Sequence, residues 1–184
     1  MPKANLFGIE VCDLRASFPD RPGWAAGYTH PPAGIIGVSQ HHGGVSPNGS
    51  SLRDDLLYLQ SAYEHDLQFG GFAYHLVASP AGRLFWTRNL ETWGCHTAGM
   101  NDRLLGVMAI GDYRRQKPSD ALLCALSLAW VALWRWCDGL RIVQAHQQWG
   151  VSTECCGAQL IAEFPRILQF AAFNAQRYPQ APAA

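Results

Sequence analysis

The sequence predicts a single α/β domain in which a central mixed β-sheet is flanked by helices. Its 184 residues are enough for one real core and short of two comfortable domains. Hydrophobic residues make up 48% and charged residues 15% of the chain, a globular composition and not a disordered one. Short apolar runs rich in β-branched residues alternate with long helical patterns, without an internal repeat. That order is the mark of a sheet covered by helices.

Residues 1–33 are rich in Pro, Gly and Arg and read as an irregular segment packed on the domain. The domain proper then occupies residues 34–175, and residues 176–184 form a flexible tail. Within it, Gly34 to Gln40 (GIIGVSQ) reads as a buried strand, passing through His41-His42-Gly43-Gly44 into a Gly-rich loop. Ser51 followed by Asp54 predicts an N-cap with an acidic first turn, opening a helix to about Asp66. Leu56, Leu57, Leu59 and Tyr63 supply the apolar side of that helix.

Gly70-Gly71 breaks the chain, and Phe72 to Ala78 with Arg83 to Thr87 reads as a hairpin across Ser79-Pro80-Ala81-Gly82. A loop carrying Trp93, Cys95, His96 and Asn101 leads to an apolar strand, Leu104 to Ile110. Pro118-Ser119-Asp120 starts a helix to about Trp136, apolar nearly all round and therefore central. Arg141 to Ala145 is a strand, with His146 just past its end. A last helix runs from Gly157, kinked or restarted at Pro165.

Charge and composition exclude several roles. Lys plus Arg (14) equals Asp plus Glu (14), so no global field draws the chain to nucleic acid or anionic lipid. Arg114, Arg115 and Lys117 stand close together and read as a solvated loop. The start, MPKANLFGIE, has no apolar core of a signal peptide. The run Ala121–Trp134 falls short of the roughly 20 residues a bilayer demands. The expectation is a monomer without stable membrane association, synthesised in the cytosol. Six cysteines (12, 95, 124, 137, 155 and 156) then read as thiols and not as a disulfide framework.

A catalytic zinc site takes three His, Cys or carboxylate ligands and leaves one position open. His41 follows one predicted strand, His146 follows another, and Cys155 lies in the loop after His146. Ligands at the ends of neighbouring strands converge without a short motif. With seven His and six Cys in the chain, spacing alone offers many such triples.

Five stretches narrow the choice: VSQHHGG, GGFAYHLVASPAGRLFWTR with Arg88, GCHTAGMN leading into LLGVMAIGDY, KPSDALLCAL, and IVQAHQQWGVSTECCGAQL. In this order they resemble the zinc amidase family shared by peptidoglycan recognition proteins and the small lysozyme-like amidases of tailed phages, over roughly residues 34 to 172. The resemblance implies the peptidoglycan recognition protein-like amidase fold and one Zn²⁺ per chain, held by His41, His146 and Cys155. His42, one residue on, points to the opposite side of an extended strand. The frame Thr153-Glu154-Cys155-Cys156-Gly157 matches the family's Thr-x-Cys-Pro-Gly, with Cys156 in place of proline.

The same resemblance makes Tyr74 the catalytic tyrosine. It sets Thr153 beside the metal, as a catalytic or a loop-capping hydroxyl, and gives His96 and Asn101 as substrate contacts or loop anchors. His75 reads as a satisfied internal histidine, and no general-base carboxylate stands out, Glu91 and Glu154 being weak candidates. The implied activity is that of an N-acetylmuramoyl-L-alanine amidase, cutting the amide between the muramyl lactyl group and L-alanine in bacterial peptidoglycan. The implied setting is a phage endolysin that reaches the wall after membrane permeabilisation. Three other readings remain. One is a peptidoglycan-binding module of the same fold without catalysis, which characteristically lacks the cysteine ligand. Another is a cytosolic wall-recycling amidase, which tends to carry aspartate there. The last is a structural zinc protein, which wants a fourth ligand.

Overall fold

In the computed structural model, which describes residues 1–47, 49–138 and 141–178, the apolar runs become strands of one sheet. They are β1 (Lys3–Leu6), β2 (Ile9–Asp13), β3 (Gly37–His42), β4 (Leu76–Ala78), β5 (Leu84–Trp86), β6 (Leu104–Ala109) and β7 (Val143–Ala145). Their order across the sheet is β1-β2-β5-β4-β6-β3-β7. The pairs β1/β2 and β4/β5 are antiparallel. The pairs β2/β5, β4/β6, β6/β3 and β3/β7 are parallel. The helices are a short α1 (Trp24–Gly27), α2 (Leu52–Asp66), α3 (Asp120–Trp136), α4 (Ala158–Ala162) and α5 (Phe164–Arg177). The predicted mixed sheet with flanking helices is the fold observed, and no helix among the described residues is long and apolar enough to cross a membrane.

Successive residues of a strand face opposite sides of the sheet, and here each side is a separate core. Leu76, Ala78, Val107 and Ala109 pack with α3 and α5, whereas Val77, Phe85 and Met108 pack with Leu59 of α2, Phe72 and Leu14. The central strands are buried on both faces and so read as continuous apolar runs. Register assigns the polar residues of β3 to these faces. Gln40 lies opposite Val107 and accepts a hydrogen bond from the Trp130 indole of α3 at 2.9 Å. His41 lies opposite Met108 and so belongs to the α2 side.

Helices α2 and α3 start where their caps say. The Ser51 hydroxyl accepts the Asp54 N–H while the Asp54 carboxylate accepts the Ser51 N–H, a reciprocal capping box. Ser119 caps α3 through the Leu122 N–H. Helix α3 lies between the sheet and α5, which accounts for its near-complete burial.

Four expectations are corrected. Residues 1–33 are not irregular throughout: Lys3–Asp13 forms a hairpin that joins the sheet through β2 and β5. The alternation of buried Ile9 and Val11 with exposed Glu10 is a strand pattern, masked by the Pro- and Gly-rich stretch that follows. Strand β4 begins at Leu76 and not at Phe72, because the His75 imidazole accepts the Gly106 N–H where a ladder carbonyl would otherwise stand. Leu57 points to solvent, 59% exposed. Of the kink or restart expected at Pro165, the last helix takes the restart, as α4 and α5 with Pro165 in the first turn of α5. Helix α5 also takes in residues 176 and 177 of the expected tail, whose residues from 179 on lie outside the described ones.

Candidate metal centre

Strands β3 and β7 run parallel side by side, so their carboxyl ends reach the same edge of the sheet, where α/β folds place ligands. His41 stands at that end of β3, and His146 opens a 3-10 turn (His146–Trp149) directly after β7. The loop then returns, fixed by a hydrogen bond from the Gln147 N–H to the Cys155 carbonyl (3.0 Å). One donor atom each from His41, His146 and Cys155 lies within 4.8 Å of the others. The two imidazole centroids are 4.3 Å apart.

The donor set fits zinc. Zn–N of about 2.0–2.1 Å and Zn–S of about 2.3 Å at a tetrahedral angle put N and S about 3.6 Å apart; His41 Nδ1 and Cys155 Sγ are 3.6 Å apart. His146 Nε2 is buried and has no hydrogen-bond partner among the described residues, a costly state for a ring nitrogen without a ligand. Burial, and then the neighbouring histidines, hold His41 well below its usual pKa, and burial lowers His146 as well. Both imidazoles are therefore neutral, the form that ligates. Burial pushes the Cys155 thiol up to about 11, so a cation binding there has to displace its proton. The His42 backbone N–H, 3.3 Å from Cys155 Sγ, favours the resulting thiolate.

Behind His41 stands a relay that the sequence does not announce. The Thr97 hydroxyl is 3.4 Å from His41 Nε2, 2.9 Å from His96 Nδ1 and 2.9 Å from the Ser39 hydroxyl. It fixes the imidazole plane so that Nδ1 faces Cys155. Such partners typically carry about 10- to 100-fold in metal affinity. Thr97→Val is expected to fold normally and to bind zinc about tenfold more weakly or worse, measured by competition with a chromogenic chelator. Unchanged affinity would leave Thr97 with a packing role only.

The remaining predicted residues fall around this centre in different ways. Tyr74 precedes β4, its ring 5.1 Å from that of His41, and it lines a cavity of about 490 Å³ with Tyr58, Gly43, Val45, Asp66 and Met108. Burial, and then the adjacent Cys155, raise the Tyr74 pKa, so its hydroxyl stays protonated at neutral pH. The Thr153 hydroxyl accepts the Cys155 N–H at 3.2 Å and faces a second cavity with Arg114, Gln147 and Glu154. His96 is buried and pushed down to about 3 by burial. Asn101 Oδ1 accepts the backbone N–H groups of His96 and Thr97 (3.0 and 2.8 Å) and so braces their loop. His42 faces away, its Nδ1 accepting the Tyr113 N–H at 3.0 Å. His75 is fully buried, bonded to the Thr92 carbonyl and the Gly106 N–H. Glu91 lines a different cavity altogether. All six cysteines are free thiols.

No protein-family model matches the chain. Among curated proteins, peptidoglycan-recognition protein 1 of Holotrichia diomphalia is 26% identical, over 68% of this chain and 70% of that protein. Among solved structures, the endolysin N-acetylmuramoyl-L-alanine amidase LysCS from Clostridium intestinale superposes with a TM-score of 0.62 at 20% identity. That match covers 86% of this chain and 95% of the amidase. A point mutant of Drosophila PGRP-LB in complex with tracheal cytotoxin superposes with a TM-score of 0.68 at 22% identity, over 83% of this chain and 91% of that one. The chain therefore has the fold that peptidoglycan recognition proteins and N-acetylmuramoyl-L-alanine amidases share.

Proposed function

We propose that this chain is a zinc-dependent N-acetylmuramoyl-L-alanine amidase that hydrolyses the bond between the muramyl lactyl group and L-alanine of the stem peptide. The observation that carries the reading is the convergence of His41, His146 and Cys155 within 4.8 Å at the carboxyl ends of two parallel strands. The likeness in fold to LysCS supports the amidase chemistry. A structure of peptidoglycan recognition protein-LE with tracheal cytotoxin, a monomeric diaminopimelic acid-type peptidoglycan, supports the substrate class. The cysteine argues for an enzyme over a binding module, since a thiolate ligand has no use in a site that only grips sugar and peptide.

When bound, zinc supplies a Lewis acid and acidifies a water toward neutral pH. His41 and His146 serve as neutral ligands and Cys155 as the single anionic one. Tyr74 holds a protonated O–H beside His41 and donates it to the carbonyl oxygen as that oxygen gains charge. The Thr153 hydroxyl accepts from the Cys155 N–H and so positions the ligand loop. The setting we propose is host lysis: an endolysin made in the cytosol that meets the wall once the membrane is permeable.

Mass spectrometry of digested peptidoglycan tests the reading. Peptides with a free L-alanine amino terminus are expected, and a strong zinc chelator is expected to abolish their release. Cleavage between sugars, or chelator-resistant release, would overturn it. Tyr74→Phe is expected to retain stoichiometric zinc and to lose about 10²- to 10³-fold in turnover, the usual effect of removing one oxyanion donor. Full turnover would remove Tyr74 from the mechanism.

A further inference from the structure

Another concave site lies on the other side of the sheet. Trp86 is paired with Leu76, and through β4 and β6 it is level with Gln40, so it faces α3 while His41 faces α2. Strand β5 is also three places from β3 in the sheet. Between Trp86, Trp136 at the end of α3 and Phe7 at the tip of the N-terminal hairpin is a cavity of about 640 Å³, rimmed by Asn5, Asn89 and Glu91. None of its lining residues belongs to the metal centre.

Three features of this cavity point to a ligand. First, Phe7 occupies a turn position with φ +52°, where Asn, Asp or Gly is the ordinary choice. A strained backbone that carries an aromatic ring into a cavity is the kind of local conflict found at binding sites. The Arg135 guanidinium holds the turn by donating to the Phe7 carbonyl at 2.6 Å. Second, the amides of Asn5 and Asn89 are oriented. Asn5 Oδ1 accepts the Gly8 N–H at 2.7 Å, and Asn89 Oδ1 accepts from Arg15 at 2.6 Å. Both side chains are exposed on the rim, and each turns an amide nitrogen with two donors to the solvent-filled cavity mouth. Third, the cavity offers no net positive charge. Arg15 lies 3.3 Å over the Trp86 ring and is neutralised by two hydrogen bonds to the Asp13 carboxylate (3.0 and 2.7 Å).

Aromatic ring surface beside fixed planar amides, with an acidic acceptor in Glu91 and no available cation, suits a neutral sugar better than an anion. The apolar face of a pyranose packs on the rings while its hydroxyl and acetamido groups meet the amides. We propose that this cavity is a second binding site, remote from the metal centre, for an N-acetylated sugar of a glycan strand. The choice of a wall glycan as its source rests on the amidase reading; the sugar chemistry rests on the cavity itself.

The test is a titration of the full chain with a chitin-type tetramer of N-acetylglucosamine, followed by calorimetry and heteronuclear NMR. Saturable binding is expected, with shifts at the Trp86 and Trp136 indoles. The pair Asn5→Ala/Asn89→Ala is expected to weaken binding about tenfold or more, two hydrogen bonds being lost. Phe7→Asn, which suits the turn and so protects folding, is expected to weaken it to a similar degree. His41→Ala is expected to bind the tetramer like wild type, so a failure of the amidase reading leaves this site standing. An absence of saturation up to ~10 mM, or equal binding by both cavity variants, would overturn the proposal. So would a stem peptide, in place of the sugar, shifting the two indoles.

Discussion

Cys155→Ser is expected to lose its zinc and about three orders of magnitude or more of hydrolysis, because metal-activated water is worth several kcal/mol and each 1.4 kcal/mol is about tenfold. Of the three proposed ligands, Cys155 is the one that becomes anionic. A serine hydroxyl is far less acidic than a thiol and a poor match for a borderline-soft ion. The His42 N–H that points at Sγ from 3.3 Å then finds a shorter, neutral acceptor. Zinc content by plasma mass spectrometry, measured beside the rate of peptide release, separates loss of metal from loss of chemistry. Native circular dichroism should accompany the loss, since Cys155 packs only at the margin of the larger core and serine is close to it in size. A variant that retained one zinc per chain and the wild-type rate would remove Cys155 from the centre.

Gly157→Ala is expected to destabilise the fold by roughly 3–5 kcal/mol, combining overpacking with a strained backbone. Gly157 sits at φ +88° and ψ 138°, a region closed to residues with a Cβ. A Cβ there would run into the backbone of Tyr113 and Arg114, which has no side chain's freedom to swing aside. Because Gly157 lies two residues after Cys155, the displacement passes directly into the ligand loop, and zinc affinity should fall with stability. Gly150 is the internal comparison. Its φ is +82° with nothing within 4 Å of a built Cβ, so Gly150→Ala should cost only about 1–2 kcal/mol. Urea unfolding of both variants, with zinc titrated in parallel, checks the pair. Equal stability of the two alanine variants would show that the close approach at Gly157 is not what fixes the loop.

Much of the sheet is readable from the chain because its central strands are buried on both sides. The run Leu104–Ala109 needs no partner to be recognised as a strand, and Ser51 with Asp54 marks the start of α2 unaided. The hairpin at Lys3–Asp13 was harder to see, since a two-strand alternation of five residues competes with a following Pro- and Gly-rich stretch for the same assignment. The end of Phe72–Ala78 shows another limit: a side chain, His75, replaces a ladder carbonyl, and no propensity encodes that. At the centre, spacing alone left many triples; the resemblance singled out His41, His146 and Cys155, whose donor atoms lie within 4.8 Å of one another. Thr97 had no signal in sequence, because a threonine is common in loops and its contact with His41 spans 56 positions. Asn101 was legible as a residue of interest, but only the hydrogen bonds from the His96 and Thr97 amides reveal it as the brace of its loop.

The three donors differ in how firmly the chain itself holds them. His41 belongs to a strand paired along its length with β6 and, as far as Gln40, with β7, and central strands of this kind open at free energies near the global one. Cys155 and His146 sit on a turn and a loop, secured by a few hydrogen bonds, and such segments open locally at far lower free energy. A cation bridging them therefore ties a slow-opening part of the molecule to a fast-opening one. Hydrogen exchange should register this as protection that spreads from residue 146 to residue 157 when zinc is added, while the amides of β3 barely change.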